Sequence, residues 1–331
     1  MSYLRLNLLL ALALIMVSGL SILAGATAAS PSDFLAFVAG EASAQWQIIF
    51  ADIRAPRIVL AAITGFVLGL AGAATQGLLR NPLAEPSLLG ASNAAALGAV
   101  IAIYLGLSGT MSYAVPLSAA FGALLSVVLL LIFAGRGVSS VRLILAGFAV
   151  SALAGAGIAL ALNLSSNMFA ALEISFWLLG AVENRSWSHV ALILPGTLVG
   201  LGLLVSGGRG LNAFGLGEDV AASLGVRLAY LRLRLSLGLA LAIGAVVSVT
   251  GVIGFVGLVA PHFVRPLVGY NPQKSLLPSG LVGALLLVLA DSAVRLVPSA
   301  QELKLGVLTA FLGVPMLLYL LRRGVADQPQ A

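Results

Sequence analysis

Apolar runs of about twenty residues, separated by short breaks rich in charge and proline, succeed one another from Leu6 to Leu321. A helix rises about 1.5 Å per residue, so such a run matches the roughly 30 Å hydrocarbon core of a bilayer. Inside lipid every backbone N–H and C=O must be satisfied within the structure, which leaves helices and closed barrels as the only spanning forms. A barrel would show short alternating segments, and these runs are long and continuous. Composition agrees, with 60% of the 331 residues hydrophobic and 8% charged, against roughly 25% charged in soluble domains. Thirty-eight glycines point to closely packed helices, because small residues let backbones approach where no hydrophobic force drives association. The expected fold is therefore an all-α polytopic membrane protein. There is no cysteine, hence no disulfide or thiolate chemistry. The net charge of +6 is scattered singly between apolar runs and forms no patch for nucleic acid.

The runs predict spans at 6–29, 57–80, 88–107, 113–134, 142–163, 189–206, 228–249, 274–297 and 305–323. A shorter segment, 257–269, carries Pro261, His262, Arg265 and Pro266 and is expected to cross as a half-length helix or to fold back. The first run ends in small residues, Ala24 to Ala29, yet exceeds the roughly 7 to 15 apolar residues of a signal peptide core and is read as an uncleaved span. Charge decides whether 257–269 crosses, since one crossing more or less moves every later loop to the other side. With a crossing and a cytoplasmic N-terminus, the cytoplasmic side holds Arg5, Arg80, Arg136, Arg142, Arg209, Arg227, Arg232, Arg234, Arg265, Lys274, Arg322 and Arg323, twelve of the seventeen basic residues. Arg54, Arg57, Arg185, Arg295 and Lys304 remain outside. Without it, Arg322 and Arg323 would follow an apolar span on the outer side, which the positive-inside rule disfavours. Ten spans with both termini cytoplasmic are expected.

Three connections stand out. Gln76 to Gly90, QGLLRNPLAEPSLLG, packs Arg80, Asn81 and Glu85 between two spans, and Pro82 and Pro86 deny it a regular helix. In the loop from Leu164 to Ser188, the stretch from Phe169 to Leu179 reads as a short interfacial helix. In the 207–227 loop, Glu218 and Asp219 open and Gly225 closes a short segment, as in a helix with acid at the positive end of its dipole. That segment is either a docking surface or an ordinary ordered loop.

The chain has no phosphate-binding loop, because its only lysines, Lys274 and Lys304, follow Gln273 and Leu303. Asp291 is the one acid well inside a predicted span, which disfavours proton coupling. A sodium site built from backbone carbonyls stays open. His189 and His262 show no metal-ligand spacing and are read as structural, with His262 at a helix start following Pro261. Gly65, Gly69 and Gly72 are read as helix-packing positions.

RNPLAEPSLLG, with the small residues Ala91 to Ala99 after it, resembles the FecCD-type permeases of bacterial type II ABC importers. IRAPR (Ile53 to Arg57), RLILAG (Arg142 to Gly147), LGEDVAASLGV (Leu216 to Val226), GVIGFVGLVAPHFVR (Gly251 to Arg265), LLLVLADSAVR (Leu285 to Arg295) and ELKLGVLTAFLGVPMLLYLL (Glu302 to Leu321) agree in order and spacing. The resemblance runs from about residue 50 to 323. It implies one permease domain of ten helices in the bacterial inner membrane, paired with a second copy of itself, two cytoplasmic ATPase subunits and a periplasmic binding protein. ATP and Mg would be bound by the ATPase, and no cofactor or metal by this chain. Gly217, Glu218, Asp219, Ala221, Leu224 and Gly225 match the coupling helix, and Arg54, Arg57 and Arg295 match basic pockets for the binding protein. Asn81, Leu83, Ser140 and Val141 match cytoplasmic gates, and the helix from Arg142 to Asn163 matches the pathway lining. The family carries iron-siderophores, haem and cobalamin, with haem the leading expectation here. Two departures bear on the partner face. Lys304 adds a positive charge where proline is usual, and Ala55 replaces a common leucine. The rival readings are an ion-coupled secondary transporter and a static membrane anchor.

Overall fold

Small and apolar residues on every side of one helix make it the axis around which the chain packs. The computed structural model describes residues 2–25, 27–109, 111, 113–134, 140–297 and 302–322. The elements are α1 (Tyr3–Ser21), α2 (Pro31–Ala39), α3 (Ala44–Gln47), α4 (Ala55–Leu79), α5 (Ala91–Tyr104), α6 (Ala114–Ala134), α7 (Ser140–Leu164), α8 (Met168–Leu178), α9 (Trp187–Ser206), α10 (Gly208–Phe214), α11 (Glu218–Ser223), α12 (Leu228–Thr250), α13 (Val256–Val264), α14 (Pro272–Leu296) and α15 (Leu305–Arg322). Among the described residues, α1, the continuous stretch Ala44–Leu79, α6, α7, α9, α12 and α14 are long and apolar enough to cross a membrane. Ala91–Tyr104, Met168–Leu178, Val256–Val268 and Leu305–Tyr319 are apolar but shorter.

The axis is α4, buried along almost its whole length. Its glycines set how closely neighbours come. A Cβ on Gly65 would lie 2.2 Å from the Gly283 carbonyl oxygen of α14, and one on Gly72 would lie 1.9 Å from that of Gly257 in α13. Backbone therefore meets backbone on two sides of α4, the kind of approach that replaces hydrophobic drive in lipid. α5 and α6 pair in the same manner, through Gly98 against the Ser118 carbonyl and Gly122 against that of Ala94.

Two sequence expectations are corrected. The first helix ends at Ser21 instead of reaching residue 29, because the carbonyls of Ser21, Ile22, Leu23, Ala24 and Thr27 are taken by arginine side chains from α14 and the segment before α4. His262 stands in the last turn of α13, with Pro261 inside the helix, and does not start it. That nine-residue helix is half a span by length. Its entry is held by Glu85, whose Oε1 accepts from the Phe255 N–H at 2.7 Å, while Phe255 itself sits at φ +67°.

The proline-rich connection after α4 is a built turn. Arg80 closes the helix in the left-handed region (φ +48°), with the Arg80 and Asn81 amides returning to the Gly77 and Gln76 carbonyls, as in helix C-caps. Asn81 Oδ1 then accepts from the Leu83 amide at 2.9 Å, a side-chain-stabilised turn. Arg80 lies 5.7 Å over the ring of Phe214, so this connection and the loop after α9 share one face of the bundle. The arginines before α4 and at the end of α14 share the opposite face with α8.

Candidate functional site

On the first face, α10 and α11 form a two-step projection whose parts have distinct jobs. Phe214 is fully buried, and the guanidinium groups of Arg80 and Arg232 lie over its ring at 5.7 and 5.5 Å from the centroid. Arg232 also pairs with Glu218 at 2.8 Å, which ties the start of α11 to α12. Ala221 is completely buried beneath α11, so of the residues expected to face a partner this one faces the bundle. What remains outward is apolar: Leu216, Val220 and Leu224 are 59%, 44% and 63% exposed, with Asp219 and Gly225 exposed beside them. Gly217, at φ +113°, supplies the corner between the two helices, a conformation open to glycine at little cost. The projection is thus clamped at its base and apolar at its exposed tip.

On the opposite face, Arg54, Arg57 and Arg295 converge, but largely on internal partners. Arg54 is 5% exposed and donates to the Ile22, Leu23 and Thr27 carbonyls at 2.7, 3.1 and 2.6 Å. Arg295 reaches Asp291 at 3.1 Å and donates to the carbonyls of Ser21 and Ala24 at 3.0 and 2.7 Å. Arg57 bonds Asp291 at 2.8 Å and grips both oxygens of Glu302. Asp291 is thus a buried carboxylate, 1% exposed, between two guanidinium groups. Burial is the largest single influence and pushes the Glu302 carboxyl up, but the hydrogen bonds and charge of Arg57, with smaller contributions from Glu183 and Arg295, together hold it below its usual value. The rim of these groups, with Ile53, Thr27 and Val294, encloses a cavity of about 310 Å³. The positive charge expected from Lys304 on this face is taken up by Glu183, with which it forms an ion pair.

An aromatic group that sequence reasoning did not find supports this pocket. Phe34, Phe37 and Trp46 surround the fully buried Phe50 at centroid distances of 5.2 to 5.7 Å. The residues Ile48–Arg54 form a π-helical turn, a form that recurs at functional sites; it brings Arg54 to 5.8 Å over Phe50. A signal for α2 was present in the sequence: Ser30, Pro31 and Asp33 make a capping box with proline at the first turn.

α7 joins the proline-rich turn through Gly147, where a Cβ would lie 2.2 Å from the Leu88 carbonyl oxygen. One side of α7 is uncovered, with Ala149, Ala152, Ala156, Ala159 and Asn163 exposed at helical spacing. Of the expected gate residues, Val141 is 64% exposed in the first turn of α7, Asn81 is exposed and Leu83 half-buried. Ser140 begins α7 and its side chain lies outside the described residues, as do Arg136 and Arg323.

Comparison with known proteins adds identity to this geometry. The model of the FecCD transport family matches residues 10–323. The Bacillus subtilis (strain 168) ABC transporter permease protein YvrB is 41% identical over 280 residues, 83% of this chain and 79% of its own. The vitamin B12 import system permease protein BtuC of Salmonella newport (strain SL254) is 36% identical over 313 residues, 94% of this chain and 93% of its own. Among solved structures, a metal-chelate type ABC transporter in an inward-facing conformation superposes with a TM-score of 0.87 at 29% identity, over 97% of this chain and 99% of that one.

Proposed function

The chain belongs to the FecCD transport family, and on that premise we propose that it is the permease subunit of an ATP-binding cassette importer for a metal chelate. It works as a homodimer of ten-span subunits in the bacterial inner membrane, with both termini cytoplasmic. Two separate ATPase subunits bind ATP and Mg below it, and a periplasmic binding protein delivers cargo above.

The observation that carries this reading is the projection of α10 and α11. Its apolar tip of Leu216, Val220 and Leu224 is exposed while its base is clamped through Glu218, Arg232 and Phe214. A surface that must transmit movement has to be stiff at its root and free at its tip, and this one is both. An ATPase cleft that receives Leu224 moves α11, and the Arg232 clamp passes that displacement to α12. The uncovered side of α7, where alanines alternate with exposed Leu153 and Leu160, is apolar and suits a path down which a bulky chelate slides without a tight site. Asp291, the acid a proton-coupled carrier would need, is held between Arg57 and Arg295, which leaves proton coupling without its titratable group. Haem and cobalamin are both metal-centred macrocycles, and uptake assays with each decide between the haem expected from the sequence and the vitamin named for the relatives.

Two results are expected. Co-expressed with its ATP-binding cassette ATPase partner, the chain is expected to purify as two permeases and two ATPases by native mass spectrometry; a lone permease carrying no ATPase contradicts the assignment. On the opposite face, Arg54, Arg57 and Arg295 with Glu302 form the rim that receives an acidic residue of the binding protein. Ile53 lines that cavity and is 54% exposed, so Ile53→Asp adds a negative charge without removing an internal bond. Binding-protein affinity is expected to fall roughly tenfold at low salt and less at high salt, because exposed charges are screened within about 10 Å. Equal affinity at both salt concentrations would remove this face from the docking site.

A further inference from the structure

A second cavity on the same face as the arginines has a polar mouth and an apolar tail, and the transport reading uses neither. Its mouth, about 680 Å³, lies where α8, the start of α9 and the end of α12 meet, and Phe169, Phe176, Trp177, Glu173 and Arg185 line it. Pro116 and Ser248 are shared with a narrower groove of about 140 Å³, floored by Ala120, Gly196, Gly244 and Ala245. The groove follows α6 and α9 over α12 into the membrane region, and among its lining residues Leu117 and Leu124 are 57% and 40% exposed.

Formal charge at the mouth sums to zero, with Glu173 and Glu183 against Arg185 and Lys304, but only one ion pair is closed among them. Lys304 and Glu183 satisfy each other. Arg185 makes no hydrogen bond among the described residues, and its Nε is buried without a partner. Burial lowers the pKa of this guanidinium, and the nearby charge of Glu183 offsets part of that. Arg185 is half-buried as a whole, and a buried donor such as its Nε that lacks an acceptor is costly unless a ligand supplies one. Glu173, exposed on α8, adds a negative charge to the lining of the same cavity. Trp177 in the same lining is of the type enriched at the headgroup level of a bilayer.

We propose that this cavity holds one glycerophospholipid with a zwitterionic head, its phosphate on Arg185, its ammonium on Glu173 and one acyl chain in the groove between α6 and α9. A guanidinium recognises a phosphate by charge-assisted, geometrically matched hydrogen bonds. An anionic head would satisfy Arg185 but leave Glu173 facing a like charge, so the pair selects the zwitterion. The inference stands on the chain being a membrane protein and not on its cargo, and its failure leaves the importer reading untouched.

The test is lipid retention by native mass spectrometry, after exchange of the purified protein into detergent from bilayers of phosphatidylethanolamine or phosphatidylglycerol. The wild type is expected to keep one phosphatidylethanolamine and to keep phosphatidylglycerol at least tenfold less. Arg185→Gln, which removes the phosphate donor, and Ala120→Phe, which fills the groove and leaves the mouth intact, are each expected to lower retention about tenfold. Glu173→Gln changes an exposed side chain and is clear of folding effects; it is expected to erase the preference between the two lipids. Equal retention of both lipids by the wild type, unchanged retention in Arg185→Gln and Ala120→Phe, or a preserved preference in Glu173→Gln each overturns the proposal.

Discussion

Asp291→Asn is expected to cost about 3–5 kcal/mol of stability, the range seen when one partner of a buried ion pair is removed. Asp291 is 1% exposed and faces Arg57 and Arg295, so the substitution leaves two guanidinium groups with one carboxylate, Glu302, between them. Arg57 keeps Glu302 and Arg295 keeps the Ser21 and Ala24 carbonyls, which is why the loss stays below the cost of two orphaned charges. Denaturant unfolding of the detergent-solubilised protein measures it. The same experiment separates a structural acid from a transport acid. A proton carrier would keep its stability on neutralisation and lose only gradient-driven uptake, whereas this residue is expected to lose stability first.

Leu224→Asp is expected to lower chelate-stimulated ATP hydrolysis by the assembled complex at least tenfold, with the unfolding midpoint unchanged. Leu224 is 63% exposed at the end of α11, so its loss removes no internal packing. A central apolar anchor of an interface is worth about 2 kcal/mol or more. Ala221→Asp makes the contrast, because Ala221 is fully buried one turn earlier and a charge there has no partner. It is expected to destabilise the protein itself. If the two substitutions behave alike, α11 is a packing element and not a coupling surface.

Periodic features of the sequence carried the helices, and pairings between distant residues did not show in it. The run of apolar residues from 57 to 80 reads as a span because its length matches the bilayer, and α4 occupies Ala55–Leu79. The first run misled because nothing local marks Ser21 as its end. The cause lies in Arg54 and Arg295, whose side chains claim the carbonyls that a continuing helix would have used. Arg54, Arg57 and Arg295 were legible as a cluster of family positions, but Arg57 and its partner Asp291 are 234 residues apart, and no spacing rule pairs them. The same holds for Lys304 with Glu183, 121 residues distant, a pairing that turns an expected free charge into a satisfied one. In the 207–227 loop the acidic start and glycine stop of α11 were readable, since caps are local. That Glu218 faces Arg232 while Leu224 faces outward was set by the packing of α12 and needed the structure.

In the proposed function an ATPase bound to the first face drives transport through this chain. Uptake of a metal chelate into proteoliposomes measures it most directly, with the permease, its ATPase and its binding protein reconstituted together. Uptake is expected to require all three together with ATP and Mg, and to stop when the ATPase is catalytically dead. Accumulation driven by a proton or sodium gradient in liposomes holding the permease alone would contradict it.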